Sequence, residues 1–225
     1  MKANARLEVE LDAAGRSVVR VLRSAAPLTL IPARGKPLVH LVNSAASPLG
    51  GDELALTVLV GPGACLTLTG IAATVALPGP RARSRSTVRM ELGAGATVEY
   101  LPEPTVITER ARHESLLTVT LAANAHLRTR ETLVLGRAGE RPGELTTTLH
   151  VTRGATPVLR QSLCVGAEVL MGKRVLAAEL STEDTRAPAS GEWWTRTTLA
   201  AGGTLTTALA DDAVTALRHL ASGRV

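Results

Sequence analysis

Alternation of apolar and polar residues runs through most of this chain and predicts strands far more often than helices. In residues 53–60, Leu54, Leu56, Val58 and Val60 share one face. The chain then turns at Gly61-Pro62-Gly63-Ala64 and returns with Leu66 and Leu68. Upstream, the apolar run Leu38, Val39, Leu41, Val42 has the pattern of a strand covered on both faces. A turn-rich passage follows and closes with Gly50-Gly51-Asp52. Two successive glycines allow a backbone path that a Cβ would block. They deliver Asp52 and Glu53 to the mouth of the next strand.

The turn unit repeats. Counting from Val60, Gly63 lies three residues on, small Ala64 four on and apolar Leu66 six on. The same offsets from Leu92 give Gly95, Ala96 and Val98, and from Leu121 they give Asn124, Ala125 and Leu127. From Leu199 they give Gly202, Gly203 and Leu205. Gly or Asn at the third place is what a tight, hairpin-like reversal with positive φ requires. A weaker copy starts at Val151, with Gly154 and Ala155 in place but Pro157 at the apolar position. The anchors Val60, Leu92, Leu121 and Val151 are spaced by 32, 29 and 30 residues. So regular a period predicts stacked β units that bury their apolar faces against one another. The step of 48 to Leu199 marks an insertion or a departure from register. The expected fold is therefore mainly β, a stacked β-hairpin or β-helix-like solenoid forming a single unit over residues 1–225, with a small helical part near the C-terminus. Turns are expected at 61–64, 93–96, 122–125 and 200–203.

One segment reads as a helix, residues 212–221. Asp211 or Asp212 can cap it, Val214, Leu217 and Leu220 form a stripe, and Gly223 ends it. The polar passage from 181 to 194, with Pro188 and Gly191, reads as a long loop.

Composition narrows the function classes. No apolar run reaches membrane-spanning length and the N-terminus lacks an apolar signal core, which predicts a cytoplasmic protein. Cys65 and Cys164 form no CxxC pair and read as free thiols of a reducing compartment. The net charge of +5 invites a nucleic-acid reading, but the only aromatics are Tyr100, Trp193 and Trp194, too few to stack bases. The one basic cluster, Arg81, Arg83 and Arg85, reads as a solvated loop, or as a site for an acidic protein partner. No GxxxxGK[ST], GxSxG or paired-histidine spacing occurs, which argues against a nucleotide site, a nucleophilic enzyme or a tight metal cage.

Chemistry concentrates on carboxylates. In the strand that carries His126, Arg128 and Arg130 on one face, Glu131 shares the other with Leu127, Thr129, Leu133 and Leu135. An inward carboxylate is expensive unless paired, protonated or bound to a cation. The plainest account is an ion pair with one of the many arginines. Asp52 and Glu53 form a second acidic site, and Glu140 and Glu144 follow in GERPGE. Such groups offer oxygen ligands to a divalent ion. Paired acids also serve glycoside hydrolysis, so a β-solenoid carbohydrate enzyme using Asp52 and Glu131 is an alternative. A purely structural β scaffold is another.

Pro48-Leu49-Gly50-Gly51-Asp52, the glycine turn and residues 66–74 together resemble the urease accessory proteins called UreD, or UreH. The similarity continues through Tyr100-Leu101-Pro102-Glu103-Pro104-Thr105, where the family has an aromatic-Leu-Pro-Gln segment. It extends to Glu131-Thr132-Leu133 and Leu135-Gly136-Arg137, which match an acidic residue shortly before Leu-Gly-Arg. Either Glu140 or Glu144 matches the Gly-Glu that follows. The chain resembles the compact, aromatic-poor members of high-GC bacteria. It departs from the usual pattern after Thr74, where Val75 and Leu77 replace a basic residue and a tyrosine.

The resemblance implies a β-helix-like protein that assists nickel insertion into apo-urease. It implies partners: a helical accessory protein, a nickel-carrying GTPase, the urease apoprotein, and a dimer within that complex. It implies no permanently bound cofactor, with Ni2+ only in transit through an internal channel. Asp52 and Glu131 would line that route, Glu140 and Glu144 less directly, and Gly50, Gly51, Thr74 and Arg137 would serve structure or partner contact.

Overall fold

A computed structural model describes residues 1–80, 83–166 and 170–222 of the chain. It opens with β1 (Lys2–Leu11), β2 (Ser17–Arg23), β3 (Leu28–Pro32) and β4 (Leu38–Asn43). The coiled part follows: β5 (Glu53–Val60), β6 (Cys65–Gly70), β7 (Thr74–Ala76), β8 (Ser84–Leu92), β9 (Thr97–Leu101), β10 (Thr105–Ile107), β11 (Arg112–Leu121) and β12 (His126–Leu135). The chain closes with β13 (Glu144–Arg153), β14 (Thr156–Val165), β15 (Val175–Ser181), β16 (Ala189–Ser190), β17 (Trp194–Thr198), β18 (Thr204–Ala210) and the helix α1 (Ala213–Ser222).

Two sheets face each other. The first runs β14-β13-β11-β8-β5-β1-β2, and the second β16-β17-β18-β15-β12-β9-β6-β4-β3, with β7 and β10 extending the second. Each coil climbs a first-sheet strand, crosses an upper corner, descends the second sheet and returns through a lower corner. The upper corners are the turns at 61–64, 93–96 and 122–125, where Gly63, Gly95 and Asn124 all take positive φ. These turns stand where the period places them. They are not hairpins, however, since β5 and β6 belong to different sheets, as do β8 and β9. Stacking is parallel and in register: Val60 faces Leu92, and Leu92 faces Leu121. The copy at Val151 is displaced, because Val119 faces Val151 while Leu121 faces Arg153. There the turn at Gly154 is a true hairpin, β13 to β14, with a bulge at Val151/Thr152. A β4 covered on both faces is also not found: Val39 is buried, and its neighbours are half-buried.

The inward residues form the core by simple parity. Leu54, Leu56, Val58 and Val60 are all buried along β5, as the alternation predicts. Beside them stack Met90 and Leu92, then Val119 and Leu121, then Val151. The outward ladder at the lower end alternates in sign. Lys2 faces Glu53, Glu53 faces Arg85, and Arg85 faces Glu114. Arg83 and Arg85 both pair with Glu114, so this stretch is an ordered strand start and not a solvated loop. Arg81 lies outside the described residues.

The step of 48 residues to Leu199 is a change of topology. β15 pairs antiparallel with β12, and β17–β18 is a hairpin turning at Gly202 and Gly203. The passage from 181 to 194 is loop apart from the two-residue β16. Helix α1 packs on the outer side of β15 and β18, burying Ala216 and Leu220 with Leu217 half-covered. Val214 is 59% exposed, so it does not belong to the buried stripe. Asp212 caps the helix, its carboxylate accepting from the Thr215 amide at 2.8 Å and hydroxyl at 2.7 Å. Asp211 instead pairs with Lys173. Gly223 lies outside the described residues. Asp212→Ala should cost about 1 kcal/mol, read as a small drop in melting temperature; Asp211→Ala should cost less, its ion pair being exposed.

Candidate functional site

Between the sheets the core divides into two clusters. An upper one centres on Val58, Met90, Val98 and Leu127, and a lower one on Ile107, Leu133, Leu135 and Leu145. A cavity of about 190 Å3 separates them. One wall is polar because the first sheet places Ser86, Ser115 and Thr147 side by side in a single inward row. From the second sheet, Tyr100, Thr129 and Glu131 complete the lining.

The cavity sits where the second sheet is interrupted. β6 ends at Gly70 and β7 begins at Thr74, while β9 ends at Leu101 and β10 begins at Thr105. β12 runs on unbroken, pairing with β9 through Thr129 and with β10 from Leu133. Glu131 therefore lies in the window where its strand has no ladder partner on that side. Pro102 and Pro104 account for the break in β9, since proline has no amide to donate. Glu103 between them lies across Gly70, where a Cβ would come within 2.8 Å of its Cγ. Glu103 also lines the cavity and has no hydrogen bond or ion pair among the described residues.

Glu131 lines the cavity, its side chain partly covered by the surrounding protein. Both oxygens accept from the Thr147 hydroxyl, at 2.9 and 2.7 Å, and the Ser115 hydroxyl donates as well. No cationic side chain lies within ion-pair distance among the described residues, which overturns the arginine pairing expected from sequence. Burial pushes its pKa above 4.5, and the two hydroxyls offset that only in part. Burial first, and then the charge of Glu131, also pushes the Tyr100 hydroxyl up.

His113 lines the same cavity one row below Ser115. Its Nδ1 lies 2.9 Å from the Ser84 hydroxyl. Burial lowers its pKa from 6.5 to about 4, against a smaller opposing pull from Glu114. The ring is thus neutral in the folded chain near neutral pH. Because the folded pKa is below the unfolded one, the unfolded chain binds the extra proton. Stability should be full above pH 6.5 and fall by roughly 3 kcal/mol as the pH drops towards 4. Urea melts across this range should show the slope in wild type and a flatter one in His113→Gln.

The other residues singled out by sequence lie at the lower corners. Asp52 is buried, with Oδ1 2.6 Å from the Met1 amino group and Oδ2 2.8 Å from both the Ser47 hydroxyl and the Leu49 amide. Burial would raise its pKa, but the Leu49 amide, the amino group and Ser47 outweigh that and hold it below 3.8. It closes the corner that Gly50 and Gly51 form, Gly51 at φ +97. Glu140 accepts from the Arg137 amide at 3.1 Å and guanidinium at 3.2 Å, and Glu144 pairs with Arg112 at 3.1 Å. Thr74 reaches the cavity edge. Of the expected set, Glu131 and Thr74 meet at the cavity, and Asp52, Glu140 and Glu144 do not line it. His113 and Glu103 are ionisable cavity residues that the sequence did not mark as site residues, and the Ser115 and Thr147 hydroxyls were likewise not foreseen. Strand parity with Leu117 and Val119 points His113 inward, whereas Glu103 stands between prolines where no period applies.

A two-sheet β-solenoid with a polar, carboxylate-bearing cavity is thus the class that fold and site define. Among the described residues no cluster of three metal-ligating side chains occurs. The family model described as UreD urease accessory protein matches residues 1–224. The chain is 56% identical to a protein of Saccharopolyspora erythraea named urease accessory protein UreD 1, covering 98% of this chain and 93% of that one. It is 37% identical to the urease accessory protein UreD of a Parafrankia species, over 99% and 87% of the two chains. With that of Streptomyces avermitilis the identity is 34%, over 98% and 95%. The chain belongs to the UreD family of urease accessory proteins.

Proposed function

We propose that this chain serves nickel insertion into apo-urease, and that its interior cavity is part of the ion's route. It works with a helical accessory protein and a nickel-carrying GTPase, in the cytoplasm, and forms a dimer within that complex. It catalyses no reaction of its own, and Ni2+ is cargo in transit, with no resident cofactor. The observation that carries this reading is Glu131, a carboxylate at the cavity held by hydroxyls, with no cationic side chain within ion-pair distance among the described residues. A passing divalent ion supplies that charge.

The available donors suit transit. Glu131 and Glu103 offer oxygen, the Thr147 and Ser115 hydroxyls line the way, and the neutral His113 adds one nitrogen. A scattered, oxygen-dominated set holds nickel more weakly than a His/Cys cage and lets it leave. The carbohydrate-enzyme alternative gains nothing from the cavity, where Tyr100 is the lone tyrosine or tryptophan among the lining residues. The test is reconstitution: the chain should co-purify with the urease proteins, and nickel-dependent activation should be faster with it than without. GTP turnover by this chain alone would contradict the assignment.

A further inference from the structure

The two ends of the solenoid differ in their content of ionisable side chains. The upper corners at 61–64, 93–96 and 122–125 are built from Gly, Pro, Ala and Asn and carry no ionisable side chain. The lower corners carry Arg83, Arg110, Arg112, Arg137 and Arg141 together with the carboxylates of Asp52, Glu53, Glu109, Glu140 and Glu144. Three of these lower corners, around residues 78–80, 109–112 and 141–144, stack to line an open groove of about 870 Å3. Its walls are fixed by backbone packing. A Cβ on Gly79 would lie 2.5 Å from the Gly50 amide nitrogen, and one on Gly143 would lie 2.6 Å from the Ala111 carbonyl oxygen.

Most of the lower arginines are already neutralised. Arg83 pairs with Glu114, Arg112 with Glu144 and Arg137 with Glu140. Arg110 and Arg141 line the groove, are exposed, and have no hydrogen bond or ion pair among the described residues. Against them the groove sets the carboxylate of Glu109, unpaired among the described residues. Arg110 is also held in an unfavourable backbone state. It has φ +63 in the turn closed by the Ala111 amide on the Thr108 carbonyl at 3.0 Å, a place that glycine or asparagine usually takes. The turn thus presents a guanidinium at a site where a residue without charge would fit the backbone better.

We propose that this lower groove is a docking site for an acidic, extended segment of a partner protein, whose carboxylates pair with Arg110 and Arg141. Guanidinium and carboxylate match as two-pronged partners. The two cations stand on adjacent coils along an open channel, which suits spaced carboxylates on an extended chain more than one small anion. No aromatic side chain lines the groove, so bases have nothing to stack on. The site is separate from the Glu131 cavity, and its test does not use urease activation.

The experiment uses the full chain and a fluorescent oligo-glutamate peptide followed by anisotropy at low ionic strength. Wild type should bind it, salt should weaken binding, and an oligo-glutamine peptide should not bind. Arg110→Gly and Arg141→Gln should each weaken binding about tenfold. Arg110→Gly should also raise the melting temperature, since glycine takes positive φ without strain, which separates lost binding from lost folding. A control, Arg34→Gln with Lys36→Gln in the distant β3–β4 turn, removes two charges and should leave binding unchanged. Equal loss in the control would overturn the proposal in favour of net charge. So would no binding by wild type, or displacement of the peptide by inorganic phosphate at comparable concentration.

Discussion

Glu131→Gln should leave the chain folded and cut nickel-dependent urease activation about tenfold or more, at least the loss that follows when a group supporting a metal's ligands is removed. The side chain keeps its volume and can still meet the Thr147 and Ser115 hydroxyls. What goes is a charge that burial disfavours. Because the folded pKa is raised, the ionised group costs stability at neutral pH, and wild type recovers it as pH falls through that pKa towards 4.5. The variant should therefore melt at the same temperature or higher at neutral pH, and its advantage should vanish in acid. An ion-paired Glu131 would behave oppositely, since stranding an arginine costs roughly 3–5 kcal/mol. A stable variant with full activation would remove Glu131 from the route, and a destabilised one would return it to a structural role.

The second large effect lies in the lower corners. Gly79→Ala should destabilise the chain by about 3 kcal/mol, a fall in melting temperature of about 6–12 °C for a protein of this size. A Cβ there would sit 2.5 Å from the Gly50 nitrogen and 2.6 Å from its oxygen. Both are backbone atoms of the neighbouring corner, itself pinned by the Gly50 amide on the Leu77 carbonyl at 3.2 Å and the Gly51 amide on the Arg83 carbonyl. Neither side can swing away as a flexible side chain would. Gly95→Ala is the companion measurement. It has positive φ but nothing within 4 Å of the added Cβ, so only the conformational cost of about 1 kcal/mol applies. Equal losses in the two variants would mean that the corners are not closely stacked.

Alternation and period made most of this fold legible. Parity alone put Val58, Val60 and Leu127 inside, and glycine or asparagine at fixed offsets located Gly63, Gly95 and Asn124. What the local pattern could not separate is a corner from a hairpin, because both need one residue at positive φ. The difference lies in where the next strand finds its partner, some 30 residues away across a parallel ladder for Val60 and Leu92. For the same reason Val151 read as a fourth anchor, although the β11–β13 ladder sets it opposite Val119, two residues from the place of Leu121, and β14 returns beside it as a hairpin. At the site, parity turned Glu131 inward correctly. Its hydroxyl partners come from β11 and β13, so nothing in its own strand announced that no arginine would reach it. Glu103 was hidden because a residue between two prolines has no period to read.

The edges of the two sheets set the length of the stack. The first sheet ends on one side in β2, antiparallel to β1, and on the other in β14, antiparallel to β13. The second ends in β3 against β4 and in β16 against β17, again antiparallel. A column of parallel coils left open at either end would offer each new copy the same template and invite endless growth. Here every outermost strand reverses the direction that a further parallel coil would need. The interior coils remain interchangeable in outline, each adding one strand to both sheets in a step of about 30 residues. Length variation between such proteins therefore has a natural quantum. A whole coil can be gained or lost between the caps, while differences of a few residues, such as the steps of 32 and 29 between Val60, Leu92 and Leu121, are absorbed in the corners.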